Sequence, residues 1–199
     1  MLGTVTGLRE RKKQATREAL REAALRLARE RGPDNVRVDD IAAAAGVSPR
    51  TYNNYYSSRE QAIVAAVTAE RETRVAAAVA ATPPDVGLAD AVVEAIVAQY
   101  TDPGDHALLI TTTPALRDAF LGTTAVIEHP LAGAIAARID DADTARVLAA
   151  GVAAAVRVAL ERWLRPTGSA GLVTVAGSLP DLLRAALEPL RPALDAAAG

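Results

Sequence analysis

The sequence predicts an all-α protein, and three observations carry that prediction. Apolar residues recur at spacings of three and four along most of the chain, and no stretch alternates polar and apolar as a half-buried strand would. Glycine and proline divide the chain into helix-length pieces. Half of the 199 residues are hydrophobic but only 3% are aromatic, so the core has to be built mainly of Ala, Val, Leu and Ile.

The elements follow in order. Residues 9–31 contain no Gly or Pro, and Ala19, Leu20, Ala23, Ala24, Leu27 and Ala28 share one helical face opposite a charged one. Gly32 and Pro33 end that helix. A second is expected over 38–45, with Asp39 and Asp40 in the first turn where carboxylates complement the helix dipole. Gly46 suits a left-handed turn, Val47 anchors it, and Ser48-Pro49 supplies a cap and a first helical residue for a third helix ending near 55 or 56. Ser58 with Gln61 reads as a capping box, opening a fourth helix over 59–81 that Pro83-Pro84 stops. Further helices are expected over 86–101, 105–112, 114–139, 141–164 and 172–190, about nine in all. Pro130 and Pro180 should kink or break the pattern near His129 and Ser178.

Charge and composition narrow the function. Residues 1–60 carry 12 Lys and Arg against 8 Asp and Glu, whereas 61–199 carry 10 against 16. A basic front and an acidic remainder confine any polyanion contact to the front. The absence of cysteine rules out disulfides and thiolate ligands, and with two histidines no metal site or cofactor is expected. There is no leader-like start and no uninterrupted apolar run, so a cytosolic protein with no membrane partner is expected. No nucleophile elbow, phosphate loop, HExxH motif or cysteine nucleophile is present, which argues against an enzyme.

The run VDDIAAAAGVSPRTYNNYYSSREQAI, residues 38–63, has the composition of a helix-turn-helix. Ala42, Ala45 and Gly46 allow close helix contact, and Ile41 and Val47 make a small core. Ser48, Arg50, Thr51, Asn53, Asn54 and Tyr55 are left to face outward. Arginine forks to guanine, asparagine pairs with adenine, and hydroxyls reach phosphates. Tyr52 and Tyr56 fall on the inward phase and are assigned to packing. The cluster Arg9, Arg11, Lys12, Lys13 reads as a flexible basic arm for the minor groove.

This segment, IAAAAGVSPRTYNNYYSSRE behind an amphipathic helix and a bend at Gly32, resembles the signature of the TetR family of transcriptional regulators, strongly over residues 9–65. The resemblance implies an N-terminal three-helix helix-turn-helix domain over 1–60 that binds double-stranded operator DNA. It also implies a larger C-terminal helical domain over 61–199 for dimerisation and effector binding, with helix four as connector. Departures from the family pattern include Arg37 where a Thr or Ser cap is common, Asn53 for Tyr, Tyr56 for Phe and Arg59 for Lys. Arg37 is expected to reach a phosphate, and Arg59 to be among the DNA contacts. Base preference is therefore this chain's own.

For the C-terminal domain, Leu148, Val152, Val156 and Leu160 in one long helix and Leu179, Leu183 and Leu187 in the next recur at helical spacing. They are expected to pair with a second copy as a four-helix bundle, making a homodimer. Tyr100, Arg117, Phe120, Glu128 and Trp163 are the candidate lining of a small-molecule pocket whose other walls are aliphatic, which suits an apolar or acyl-like effector. The function expected is a dimeric repressor released by such a ligand. A constitutive DNA-binding or architectural protein without an effector is the competing reading, and a thermal-shift screen against acyl and lipophilic compounds separates the two.

Overall fold

The structure is a computed structural model, and it describes residues 3–68, 71–101, 113–164 and 177–198. The all-α class expected from the sequence is what it shows, with no strand among the described residues. The chain packs as two compact units, Met1–Ala69 and Glu70–Gly199.

The first unit contains α1 (Gly3–Arg31), a 3-10 turn at Pro33–Asn35, α2 (Val38–Ala44), α3 (Pro49–Tyr52) and α4 (Arg59–Val67). Helix α1 packs on α2 and α4 through Leu20, Ala23, Ala24, Leu27 and Ala28, all buried. Small side chains on this face let the neighbouring backbones come close, and Ile41, Tyr52, Tyr56, Ile63 and Val64 supply the bulk. The expected continuous helix over 59–81 is instead two segments. Helix α4 ends at Val67, and the backbone N–H and hydroxyl of buried Thr68 both donate to the Val64 carbonyl. The next helix begins at Arg71, and residues 69 and 70 lie outside the described residues.

The second unit contains α5 (Arg71–Ala81), α6 (Leu88–Thr101), α7 (Pro114–Gly122), a 3-10 segment at Thr123–Ile127, α8 (Glu128–Ile139), α9 (Ala142–Trp163), α10 (Leu179–Leu187), a 3-10 turn at Glu188–Leu190 and α11 (Arg191–Ala198). The helix expected over 105–112, with His106, and the stretch 165–176 lie outside the described residues. The break expected near His129 falls slightly earlier, over Thr123–Ile127. A proline ring collides with the carbonyl four residues before it, so Pro130 disturbs the turn at Val126. Near residue 178 the break is a start: Ser178 is the N-cap of α10 and Pro180 lies in its first turn. Helix α9 is the centre of this unit, packing on α8 and α10, while α5 packs on α6 and α8. Its start is sharply fixed, because the Asp141 carboxylate accepts from the backbone N–H groups of Asp143 and Thr144 and from the Thr144 hydroxyl. These bonds, the Thr144 hydroxyl first, hold the Asp141 carboxyl below the usual carboxylate range.

Candidate nucleic-acid interface

Helix α2 starts after Arg37, whose side chain offers no acceptor for the free N–H groups of the first turn. Asp40 completes the start from within the helix, its carboxylate accepting from the Arg37 N–H at 3.1 Å. At the other end Gly46 takes φ +69°, a left-handed conformation that reverses the chain between α2 and α3. The Val47 N–H then returns to the Ala42 carbonyl at 2.9 Å, closing the turn. Ser48 caps α3, its hydroxyl accepting from the Thr51 N–H at 3.1 Å and lying 2.9 Å from the Thr51 hydroxyl. Pro49 follows at the first helical position.

Helix α3 is shorter than the sequence pattern suggests. It ends at Tyr52, and the chain continues through Asn53, Asn54 and Tyr55 as a tight turn with the Asn54 and Tyr55 N–H groups bonded three residues back. The change of direction seats two rings. Tyr52 and Tyr56 are both buried, with ring centroids 5.9 Å apart, and the Tyr52 hydroxyl donates to the Ser58 carbonyl at 2.7 Å. The Tyr56 hydroxyl is buried without a hydrogen-bond partner. Burial raises the phenol pKa of each, so both stay neutral. With two rings holding the inner side, Ser48, Arg50, Asn53 and Asn54 are exposed, and Thr51 and Tyr55 are half-exposed.

Two other expected contacts sit differently. The Arg59 guanidinium donates to the carbonyls of Asp34 at 2.8 Å and Val36 at 2.9 Å, and lies 2.7 Å from a Glu60 carboxylate oxygen. It is thereby tied to the turn after α1, whereas the sequence reading had it among the DNA contacts. Glu60 responds to the same contact. Burial alone would raise its pKa, but hydrogen bonds from Arg59, its own backbone and Ser58 bring it below the usual value. The basic cluster is likewise no flexible arm: Arg9, Arg11, Lys12 and Lys13 lie within α1, which is helical from Gly3 onward. Residues 9–18 lack Gly and Pro, and the helix adds its own ties, Gln14 to Glu18 at 2.8 Å and the Thr16 hydroxyl to the Lys12 carbonyl at 2.9 Å. Arg11, Lys12, Lys13 and Arg37 are all exposed.

In the second unit the candidate pocket residues fall in different surroundings. Tyr100 and Phe120, both buried, meet at Arg71, whose guanidinium carbon is 4.4 Å from the Tyr100 ring centre and 5.6 Å from that of Phe120. Arg71 is the member of this group that the candidate list lacked. Arg117 pairs with its neighbour Asp118 at 3.5 Å. Glu128 lies with His129 in an open groove of about 610 Å³ between α8 and α9, lined also by Asp143, Arg146 and Val147. Trp163 is the half-exposed last residue of α9.

The seven positions expected to meet a second copy are covered by their own chain. Leu148, Val152, Val156, Leu160, Leu179, Leu183 and Leu187 are each at most 8% exposed. The strongest apolar stripe on each helix closes the subunit's own core, which leaves these side chains little surface for a partner. What α9 leaves outside is a second, weaker stripe, with Val147 at 72% and Val158 at 49% exposure and exposed Ala154 between them.

Residues 20–66 match the family model described as bacterial regulatory proteins of the tetR family, a span running from the first core residue of α1 through the last full turn of α4. Over nearly its whole length the chain is similar to the HTH-type transcriptional regulator TcmR of Streptomyces glaucescens, at 31% identity across 206 residues that cover 94% of this chain and 88% of that protein. The fold is shared with the crystal structure of FadR from Thermus thermophilus, a TetR family transcriptional repressor in complex with lauroyl-CoA. That likeness has a TM-score of 0.53 at 22% identity, covering 87% of this chain and 92% of that one. A capped short helix that displays arginine and asparagine outward from a buried tyrosine pair is thus found in a chain that belongs to the TetR family and is a DNA-binding transcriptional regulator.

Proposed function

We propose that the protein is a homodimeric repressor that lays α3 in the major groove of a palindromic operator and leaves it when an apolar ligand binds the second unit. The observation that carries the reading is the division of α3 and the turn after it: Tyr52 and Tyr56 are buried, and Arg50, Asn53 and Asn54 are exposed together. Arg50 is the residue suited to fork onto guanine and Asn53 or Asn54 to pair with adenine, while Ser48, Thr51 and Tyr55 serve phosphates.

The dimer face of this proposal is the outer stripe of α9, Val147, Ala154 and Val158, meeting its copy about a twofold axis. An aliphatic ligand fits a unit whose walls are mostly Val, Leu, Ile and Ala, with Tyr100 and Phe120 as its aromatic pair. The acyl ligand in the FadR structure is of the same chemical kind.

The test is operator selection from a random DNA pool, followed by binding of the Arg50→Ala variant. That variant should lose about 1–3 kcal/mol at the best site and relax base choice at one position of each half-site. Unchanged affinity and preference would remove α3 as the reader. For the ligand, any acyl compound that stabilises the protein thermally should bind more weakly once operator DNA is present, because coupling between sites is reciprocal.

A further inference from the structure

Helix α1 is longer than its core. Among its described side chains the first buried one is Leu20, and the eleven residues from Arg9 to Ala19, about three turns, precede it in the helix. Every described side chain from Arg9 to Glu18 is exposed apart from the half-exposed Thr16.

The overhang has a definite face. Eleven residues make about three turns, so a residue and the one eleven later point the same way. Arg9 therefore stands above Leu20, Lys12 above Ala23, Lys13 above Ala24 and Arg17 above Ala28. These four core residues are all buried against the rest of the unit. Leu27, the fifth buried residue of this face, has half-exposed Thr16 above it, so the side of α1 that is apolar within the core becomes mainly cationic beyond it, while Glu18 lies on the same line as exposed Arg29. Cations on four of the five continuations of the core face are not explained by packing, because all four side chains are exposed.

We propose that this face, Arg9, Lys12, Lys13 and Arg17, is a rail for the phosphates of one strand of duplex DNA. Charge complementarity and direction both favour this partner. The core face of α1 packs on α2 and α4, so the rail looks to the side of the helix on which the helix-turn-helix lies. Arg17 is close enough to the end of the reading segment to act electrostatically on the Tyr56 hydroxyl. From residue 9 to residue 17 the helix rises about 12 Å, the axial span of three to four phosphates on one strand. A helix some 10 Å across cannot enter a minor groove about 6 Å wide, so the rail holds the backbone and reads no bases. It adds affinity and salt dependence to the α3 reading without adding sequence preference.

The test uses the full chain and a selected operator duplex, with dissociation constants measured across a salt series. Replacing all four cations by glutamine, a good helix former, keeps the helix intact, and circular dichroism checks it. The variant should bind operator and unrelated duplex more weakly by the same factor, roughly tenfold or more at low salt. Its plot of log affinity against log salt should be shallower by about 0.9 per lost phosphate contact, near 3 for each bound copy. Arg9→Lys with Arg17→Lys should keep the wild-type slope. A variant slope equal to wild type overturns the rail and points to another anionic partner. A loss confined to A·T-rich duplexes also overturns it, in favour of groove reading. The Arg50→Ala variant separates this proposal from the reading of α3, since it should change base preference while leaving the slope contributed by the rail in place.

Discussion

The two units use apolar periodicity for different ends. In the first, a small core of alanines, aliphatic residues and two tyrosines leaves the outer side of α3 and the turn after it as a set of exposed polar residues, so burial and display are cleanly divided. In the second, α9 has apolar residues on two faces. The heavier stripe, Leu148, Val152, Val156 and Leu160, is buried, and the lighter one, Val147, Ala154 and Val158, is open to solvent. Spacing alone says that a face is apolar. It does not say whether the chain itself or a second copy will cover it, since α9 buries Val152 and Val156 while leaving Val147 and Val158 exposed.

The strongest way to break this contrast is a matched pair of charges on α9. Val156→Asp places an unpaired carboxylate among core side chains and should cost about 3–5 kcal/mol, showing as a collapsed melting transition. Val147→Asp should leave the melting of the subunit within about 0.5 kcal/mol of wild type, yet sedimentation should show monomers at concentrations where the wild type is dimeric. If Val156→Asp gave a folded monomer and Val147→Asp a normal dimer, the buried stripe would be the interface after all.

The first unit can be tested at its ties. Arg59→Met removes a charged donor from two carbonyls at the turn after α1 and should cost about 2 kcal/mol of unfolding free energy in denaturant titration. Smaller and more discriminating is the tyrosine pair. Tyr52→Phe removes the bond to the Ser58 carbonyl and should destabilise by about 1 kcal/mol, whereas Tyr56→Phe removes a buried hydroxyl that has no partner and should be neutral or slightly stabilising. Equal effects would mean that the two hydroxyls are equally satisfied in solution.

Helix α3 and its cap were legible because short-range chemistry governs them: a glycine at a left-handed turn, a serine before a proline, and two tyrosines four residues apart. The end of α3 at Tyr52 was not, since helical phase carries on smoothly through Asn54 and only the seating of Tyr56 in the core shows where the chain turns. The ties of Arg59 to the turn after α1 were hidden for a related reason. A lone arginine at a helix start has the same appearance in sequence whether it faces a phosphate or the carbonyls of a loop about 25 residues earlier. The overhang of α1 was hidden by continuity, because good helix formers run across the point where packing stops.

The least of the expected effects belongs to the second unit and is one of pH. The Asp141 carboxyl is held low in the folded state, so its capping contribution is present above the ordinary carboxylate range and is lost as pH falls through the depressed folded value. Asp141→Asn keeps a capping oxygen and cannot titrate. Melting followed from neutral pH into strong acid should show the wild-type advantage over this variant shrinking to nothing, and a constant difference would contradict the assignment.

Helix α3 is only four residues long. One turn of helix has no existence of its own in water, where nucleation outweighs what so few bonds return. The surface proposed to meet DNA is therefore a property of the folded unit, lent by Ser48 at one end and the tyrosine pair at the other. A synthetic peptide of residues 48–56 should show no helical signal and no operator affinity, and grafting the six outward side chains onto a longer, freely stable helix would present them on the wrong arc. Altering what this protein recognises thus means working within the unit's small core, where any residue chosen for its reach toward a base must also leave Tyr52 and Tyr56 seated.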